Sequence, residues 1–369
     1  MDAYNMPSWG QFPPIPLNSQ TDRVGKNLII SRKAPNMPFL ACSARFKFET
    51  AESDSDSRNR MFILGMGYVG QPFANDLKKQ GWTVSGTCTS IVKKKKLEEM
   101  GLNVYQFDAN DPELEVLDSL KYHTHLVVSI PSIVGIGDPL LCHQDLLRSA
   151  LVDGNLRWLC YLSSTSMLIV YMETVEGHGL MRTVLMHSSH PVNPTSEAAK
   201  ARLAAEQGWS KFGLHLGLHV HAFRLGGIYG PGRSAIDTII MQGPLSEGQK
   251  MRTRRSYTSR IHVADICQAL KASISKPSLG NIYNIVDDNP APRAEVFAFA
   301  RDLIEKKWPG QIKQFKSAGQ TDQGIANEMP RGEKRVSNAR MKSELGVRLL
   351  YPDYNSGLLS IIDQMGRSS

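Results

Sequence analysis

Cysteine is scarce and scattered: five residues in 369 (Cys42, Cys88, Cys142, Cys160, Cys267), with no C-x-x-C pair. That argues against a zinc ribbon or a disulfide framework and suits a reducing compartment. No apolar run approaches the ~18–20 residues that a membrane-spanning helix needs, so no membrane association is expected. Neither an internal repeat nor an aromatic stripe of RNA-binding type is present. The net charge of +8 and the pI near 9.2 therefore do not point to nucleic acid, because much of the excess sits in the N-terminal stretch and one lysine run. His215, His219 and His221 have H-x-x-x-H-x-H spacing but no evident metal-site partner, so no metal is expected. The hydrophobic content of 41% is enough for a large core, which excludes disordered and collagen-like chains. The length fits one α/β domain with additions, or two to three domains.

Acids are also scarce at the start. From Met1 to Phe48 there are two (Asp2, Asp22) against six bases (Arg23, Lys26, Arg32, Lys33, Arg45, Lys47). Basic, acid-poor, Ser-containing starts of this kind are typical of organelle transit peptides. Leu40-Ala41-Cys42-Ser43-Ala44 resembles a chloroplast processing region, and Glu49 to Asp56 reads as a solvated linker. Residues 1–57 are read as a transit peptide and linker destined for the plastid stroma. An ordinary disordered tail is the alternative.

The folded part opens on Met61-Phe62-Ile63-Leu64, an apolar run of the kind a buried parallel strand requires. Gly65-Met66-Gly67-Tyr68-Val69-Gly70 follows, then a helical stretch to Gln80 with Pro72 in its first turn, then Gly81 and a second strand from Trp82. G-x-G-x-x-G is weak evidence alone, but its place inside a βαβ unit is the confirming context. Gly65 permits the tight turn, Gly67 lets the main chain approach a diphosphate, and Gly70 lets helix pack on strand. The helix N-terminus, with Met66, Tyr68 and Val69 around it, offers unpaired N–H groups to the phosphates. No carboxylate stands at the tip of the second strand to accept a ribose 2′-hydroxyl. Thr87, Thr89 and Ser90 stand there instead, followed by Lys93-Lys94-Lys95-Lys96. Hydroxyls and ammonium groups suit a 2′-phosphate, so NADP is favoured over NAD; a merely solvated helix face is the alternative reading of the lysines.

Short apolar runs and helical stretches keep alternating. Leu102–Phe107 reads as a third strand with Asp108 at its tip, near an expected adenine. Leu126–Ile130 reads as a fourth, closed by Pro131-Ser132. Asp138 is expected to cap a helix running to Leu151. Trp158–Leu162 reads as a fifth strand ending in Ser163-Ser164-Thr165-Ser166, and Val220–Leu225 as a sixth. Arg293–Lys307 reads as an amphipathic helix. The pattern implies an α/β fold with a doubly wound parallel Rossmann sheet, and ligand at the strand C-termini, beside Ile130, Pro131 and Ser163.

Four motifs, in order, resemble the extended and atypical short-chain dehydrogenase/reductases, the NAD-dependent epimerase/dehydratase group. They are the glycine motif, Tyr161-Leu162-Ser163-Ser164-Thr165-Ser166, Arg224-Leu225-Gly226-Gly227-Ile228-Tyr229-Gly230-Pro231-Gly232-Arg233, and Ser259-Arg260-Ile261-His262-Val263-Ala264-Asp265-Ile266. Gly280–Ile285 and Lys334-Arg335-Val336-Ser337 extend the match, which is similar to a bacterial and plant-plastid subgroup. The resemblance implies a cofactor domain over residues 58–230 and a small substrate lobe mainly over 231–360, interleaved with the last strands. It further implies an oxidoreductase or epimerase acting on a hydroxyl or carbonyl of a small or nucleotide-linked substrate, and a possible homodimer.

The same resemblance implies that Ser164, with Thr165 beside it, orients the substrate hydroxyl, and that a Tyr-x-x-x-Lys helix supplies the proton and holds the ribose. Here that helix reads Ser196-Glu197-Ala198-Ala199-Lys200-Ala201-Arg202, and neither register supplies a tyrosine. Lys200 or Arg202 is left to hold the ribose. Arg233 and Arg255 are expected on the substrate side. The missing phenol leaves a cofactor-binding sensor or scaffold without turnover as the alternative function. Met167 to Ser189 fits neither periodicity nor family. Codons exist that spell Val170 to Thr183 in one frame and V-Y-G-D-C-G-G-A-W-V-D-E-N, a family-like loop, in another. The stretch is read as the product of a frame shift or splice variant restored near His190, and a genuine insert is the alternative.

Overall fold

A parallel strand covered by helices on both faces must be apolar on both, and β1 (Arg60–Leu64) is buried from Met61 onward. The computed structural model describes residues 59–168, 172–174, 181–183, 185–192, 194–241, 257–277, 281–310 and 334–365. The transit peptide read in residues 1–57 and the substrate-side Arg255 lie outside the described residues.

The elements follow the alternation expected: α1 (Gly70–Lys79), β2 (Thr83–Cys88), α2 (Ile91–Glu99), β3 (Asn103–Gln106), α3 (Leu114–Ser119), β4 (His125–Val128), α4 (Gln144–Leu151) and β5 (Trp158–Ser164). A short antiparallel hairpin, β6 (Met172–Thr174) with β7 (Met181–Thr183), precedes α5 (Glu197–His215) and β8 (His219–Leu225). Of the stretch read as frame-shifted, Met167 to Ser189, residues 169–171, 175–180 and 184 are outside the described residues. Then come β9 (Gly227–Tyr229), α6 (Ala235–Met241), β10 (Arg260–His262), α7 (Val263–Ser275), β11 (Asn281–Ile285), α8 (Arg293–Lys307), α9 (Ala339–Leu345) and α10 (Tyr354–Gln364).

Seven strands form one sheet in the order β11-β8-β5-β4-β1-β2-β3, and every pairing is parallel. The doubly wound α/β fold is therefore as expected. Met61 and Ile63 pack with Phe73 of α1 and with Ile266 and Leu270 of α7 on one face. Phe62 and Leu64 pack with Leu147 of α4 and Trp209 and Phe212 of α5 on the other. The order reverses between β1 and β4, and the crevice at such a point is where doubly wound sheets bind ligands. A separate apolar cluster joins α6, α8 and α10 through Ile236, Ala300, Ile304, Leu358 and Ile361.

Two local differences have physical causes. The helix expected from Asp138 begins instead as a capped turn, with a 3-10 turn at Leu141–His143 before α4. Asp138 does cap that turn: one carboxylate oxygen accepts from the N–H groups of Leu140 and Leu141, 3.1 Å each. The other accepts from the Trp209 indole at 2.8 Å, which ties the turn to α5 rather than to a helix axis. The seventh strand, β11, was not legible as a strand, because Asn281 and Asn284 interrupt its apolar run.

Candidate functional site

The glycine loop is built from beneath. The Gly65 N–H donates to Thr87 Oγ1 at 2.9 Å, and the Met66 N–H to the Thr87 carbonyl at 2.7 Å. Ser129 Oγ donates to the Gly65 carbonyl at 2.6 Å. Thr87 is thus buried support for the loop, with its hydroxyl engaged there rather than open to a phosphate. Gly65 holds φ at +99°, which disfavours any side chain. At Gly70 a Cβ would sit 2.7 Å from the Gly65 carbonyl oxygen, whereas at Gly67 the nearest atom would be 3.9 Å away. Gly70 therefore serves helix–strand packing, and Gly67 leaves open space above the loop. Val69 and Met66 are buried under it. Gly86 on β2 escaped the sequence reading; a Cβ there would meet Met66 Cε at 2.5 Å.

At the tip of β2, Thr89 and Ser90 are exposed, and the Ser90 side chain makes no cap bond to α2. Lys93 to Lys96 lie on that helix. Asp108 is exposed beyond β3, where the Asn110 main-chain N–H and side-chain amide hold its carboxyl below the usual range.

A cleft of about 1070 Å³ runs from Gly67, Tyr68 and Val69 past Pro131 to the end of β5. Ile130 is half-buried one residue before Pro131, at the tip of β4. Ser163, Ser164 and Arg202 line the cleft. Ser164 Oγ accepts from the Ser166 N–H at 3.1 Å, and Arg202 Nη1 donates to Ser166 Oγ at 2.9 Å. Lys200 is not brought to the cleft: it is exposed and pairs with Glu197 at 2.8 Å. Thr165 lines the cleft but is buried, and its hydroxyl donates to the Leu225 carbonyl at 3.2 Å.

Across the cleft, the Arg233 guanidinium lies 5.2 Å from the Tyr68 ring centre, and the Tyr68 hydroxyl donates to the Pro231 carbonyl at 3.0 Å. Burial pushes the Tyr68 phenol up to about 12. The other phenols along the cleft are also held. Tyr229 donates to the Asp353 carbonyl at 3.2 Å and Tyr354 to Glu295, while Tyr161 stacks on Trp209. Burial raises both Tyr161 and Tyr229 well above the ordinary phenol range. His262 and Asp265 act structurally: His262 caps α7 through the Ala264 N–H, and Asp265 accepts from the N–H groups of Leu350 and Tyr351. Lys334 also lines the cleft, from a segment no local pattern marked as part of a site.

A nicotinamide dinucleotide fits this arrangement. The loop leaves room above Gly67. The hydroxyls of Ser132 and Ser163, both on the cleft wall, are buried with no hydrogen-bond partner among the described residues. Unpaired buried hydroxyls call for a polar ligand. The fold and the site together define a Rossmann-type dinucleotide-binding protein.

The chain belongs to the NAD dependent epimerase/dehydratase family, whose model matches residues 61–286. It is an NAD-binding Rossmann protein of oxidoreductase or epimerase type, as its motifs implied. It is 26% identical over 303 residues to Protein YeeZ of Escherichia coli K12, covering 80% of this chain and 97% of that protein. A functionally unknown conserved protein from Silicibacter pomeroyi has a similar structure (TM-score 0.61, 28% identity, 83% of this chain and 99% of that one). The fold is shared with UDP-glucose 4-epimerase of Thermotoga maritima in complex with UDP-glucose (TM-score 0.60, 14% identity, 84% and 99%). It is shared also with dTDP-glucose 4,6-dehydratase of Streptomyces venezuelae with NAD and TYD bound (TM-score 0.62, 15% identity, 84% and 97%).

Proposed function

We propose that this protein binds NADP(H) in preference to NAD(H) and acts on a hydroxyl or carbonyl of a small or nucleotide-linked substrate. The observation that carries the reading is Arg202: its guanidinium reaches Ser166 Oγ, 2.9 Å away, at the end of β5 and beside Ser164. Bound nicotinamide would supply hydride exchange there. Ser164 would hydrogen-bond the reacting oxygen. Arg202 stays cationic and would hold the nicotinamide ribose, but it cannot shuttle a proton. The preference for NADP(H) rests on the hydroxyls and lysines after β2 and on the lack of a carboxylate there. The sugar nucleotides bound by the structural relatives suggest the substrate class. The acid-poor N-terminal composition supports the plastid stroma as location, and the family resemblance supports a homodimer.

Calorimetric titration with NADPH and NADH tests the cofactor part. Arg202→Met should weaken NADPH binding about tenfold, roughly 1.4 kcal/mol, and Lys200→Met should leave it unchanged. A panel of sugar nucleotides and small carbonyl compounds, followed at the nicotinamide absorbance, tests turnover.

A second reading, a cofactor-binding sensor or scaffold, is favoured by the engagement of the described cleft phenols. NADPH binding without turnover across the panel would establish it. The stretch between Met167 and Ser189 bears on this choice, since a displaced loop there would leave the substrate side incomplete. Sequencing the transcript across Val170 to Thr183 decides whether these residues are encoded in this frame.

A further inference from the structure

Adding hydride to a carbonyl carbon leaves negative charge on the oxygen, and some group must protonate it. The cleft offers few donors for that. Arg202 does not release its proton. The only acid among the described cleft-lining residues, Asp237, accepts from the Ser234 N–H at 2.7 Å and from its hydroxyl at 2.5 Å. Tyr68, Tyr229 and Tyr354 donate elsewhere, and Tyr161 is buried against Trp209.

Lys334 differs from the phenols in carrying three N–H donors rather than a single hydroxyl. It lines the cleft, it is only 8% exposed, and its ammonium donates to the main-chain carbonyl of Thr165, the residue after Ser164. Its main chain is bolted in place. The Lys334 N–H donates to the Tyr257 carbonyl at 3.1 Å, and Ser259 Oγ donates to the Lys334 carbonyl at 3.1 Å. Two residues on, Val336 pairs with Met186, and Ser337 receives the Asn284 amide on its carbonyl. Two cations from unrelated segments thus converge on one turn: Arg202 through the Ser166 hydroxyl and Lys334 through the Thr165 carbonyl. Of the two, the lysine can give up a proton and take it back.

We propose that Lys334 is the acid–base catalytic residue of this cleft. In the reductive direction, the substrate carbonyl carbon gains hydride from reduced nicotinamide and the carbonyl π pair moves to oxygen. That oxygen takes a proton from Lys334 Nζ. The resulting amine regains a proton from water, and the oxidative direction reverses each transfer.

The inference rests on the turnover reading above, and the test separates the two. The full chain and its Lys334→Arg and Lys334→Gln variants are titrated with NADPH and assayed on the same panel. Lys334 acylation by an N-hydroxysuccinimide ester is followed by mass spectrometry with and without NADPH. Lys334→Arg should keep fold and NADPH affinity within about threefold while turnover falls about a hundredfold or more. NADPH should slow acylation at Lys334 and leave exposed Lys211 unaffected. Unaltered turnover in both variants overturns the assignment and leaves the turnover reading standing. Equal acylation with and without NADPH also overturns it. Wild-type protein that binds NADPH but converts nothing overturns both.

Discussion

Arg224 of β8 grips Glu206 of α5 in a buried fork: Nη2 lies 2.7 Å from Oε1 and Nε 3.1 Å from Oε2, with both side chains at most 4% exposed. The remaining guanidinium nitrogen, Nη1, donates to the Ser188 carbonyl at 3.2 Å. Glu206 is one helical turn beyond Arg202, so this fork fixes the segment of α5 that delivers Arg202 to the cleft. Glu206→Gln leaves a buried guanidinium without its counter-charge, and it should cost about 3–5 kcal/mol in urea unfolding. Replacing the pair together by Leu and Met should recover part of that loss. If Glu206→Gln unfolds at the wild-type urea concentration, the fork does not hold the helix.

The glycine loop gives a sharper contrast. Gly67→Val has room in the fold but fills the space above the loop, so melting temperature should stay near wild type while NADPH affinity falls at least about tenfold. Gly70→Val drives a side chain into the Gly65 carbonyl and Ile63, which should destabilise the chain by about 1–3 kcal/mol. Melting curves and calorimetry on the two variants read these effects separately. Equal nucleotide affinity in wild type and Gly67→Val would remove the diphosphate cradle from the account.

Local steric rules made Gly65, Gly67 and Gly70 legible in the sequence, and periodicity made α8 legible with its bounds at Arg293 and Lys307. Ser163 and Ser164 were legible because they end an apolar run. Thr87 and Thr165 show where such reasoning stops. Both carry hydroxyls at strand ends, yet strand alternation and packing turn those hydroxyls to Gly65 and Leu225. Lys200 and Arg202 lie too close in sequence for spacing to choose between them, and only the orientation of α5 brings Arg202 to Ser166. Lys334 opens a stretch that extended the family match, but nothing local placed it in the cleft, because its contact with Thr165 spans 169 positions of chain.

Ser90 decides between the two nicotinamide dinucleotides if the tip of β2 reads the ribose. Ser90→Asp places a carboxylate where the sequence has none, able to accept from a 2′-hydroxyl and repel a 2′-phosphate. The ratio of NADPH to NADH affinity should fall at least about tenfold, about 1.4 kcal/mol, by calorimetry. An unchanged ratio would show that Ser90 and its neighbours do not contact that ribose.

The pH dependence of stability should carry the mark of Asp287, almost fully buried just after β11. Burial pushes its carboxyl up to about 8, against the pull of Arg260. The folded chain therefore keeps a proton that the unfolded chain releases near pH 4. Its contribution to stability is complete below about pH 4 and is lost as pH rises through about 8. His125, His221 and His262, held down to about 4 by burial, act in the opposite sense. Their contribution is complete above about pH 6.5 and is lost as pH falls through about 4. Asp287→Asn removes only the first effect. Relative to wild type, the variant should gain stability steadily between pH 4 and 8, reaching on the order of a few kcal/mol at pH 8.5. Thermal melts of both proteins across that range check it, and parallel curves would mean that Asp287 is ionised throughout.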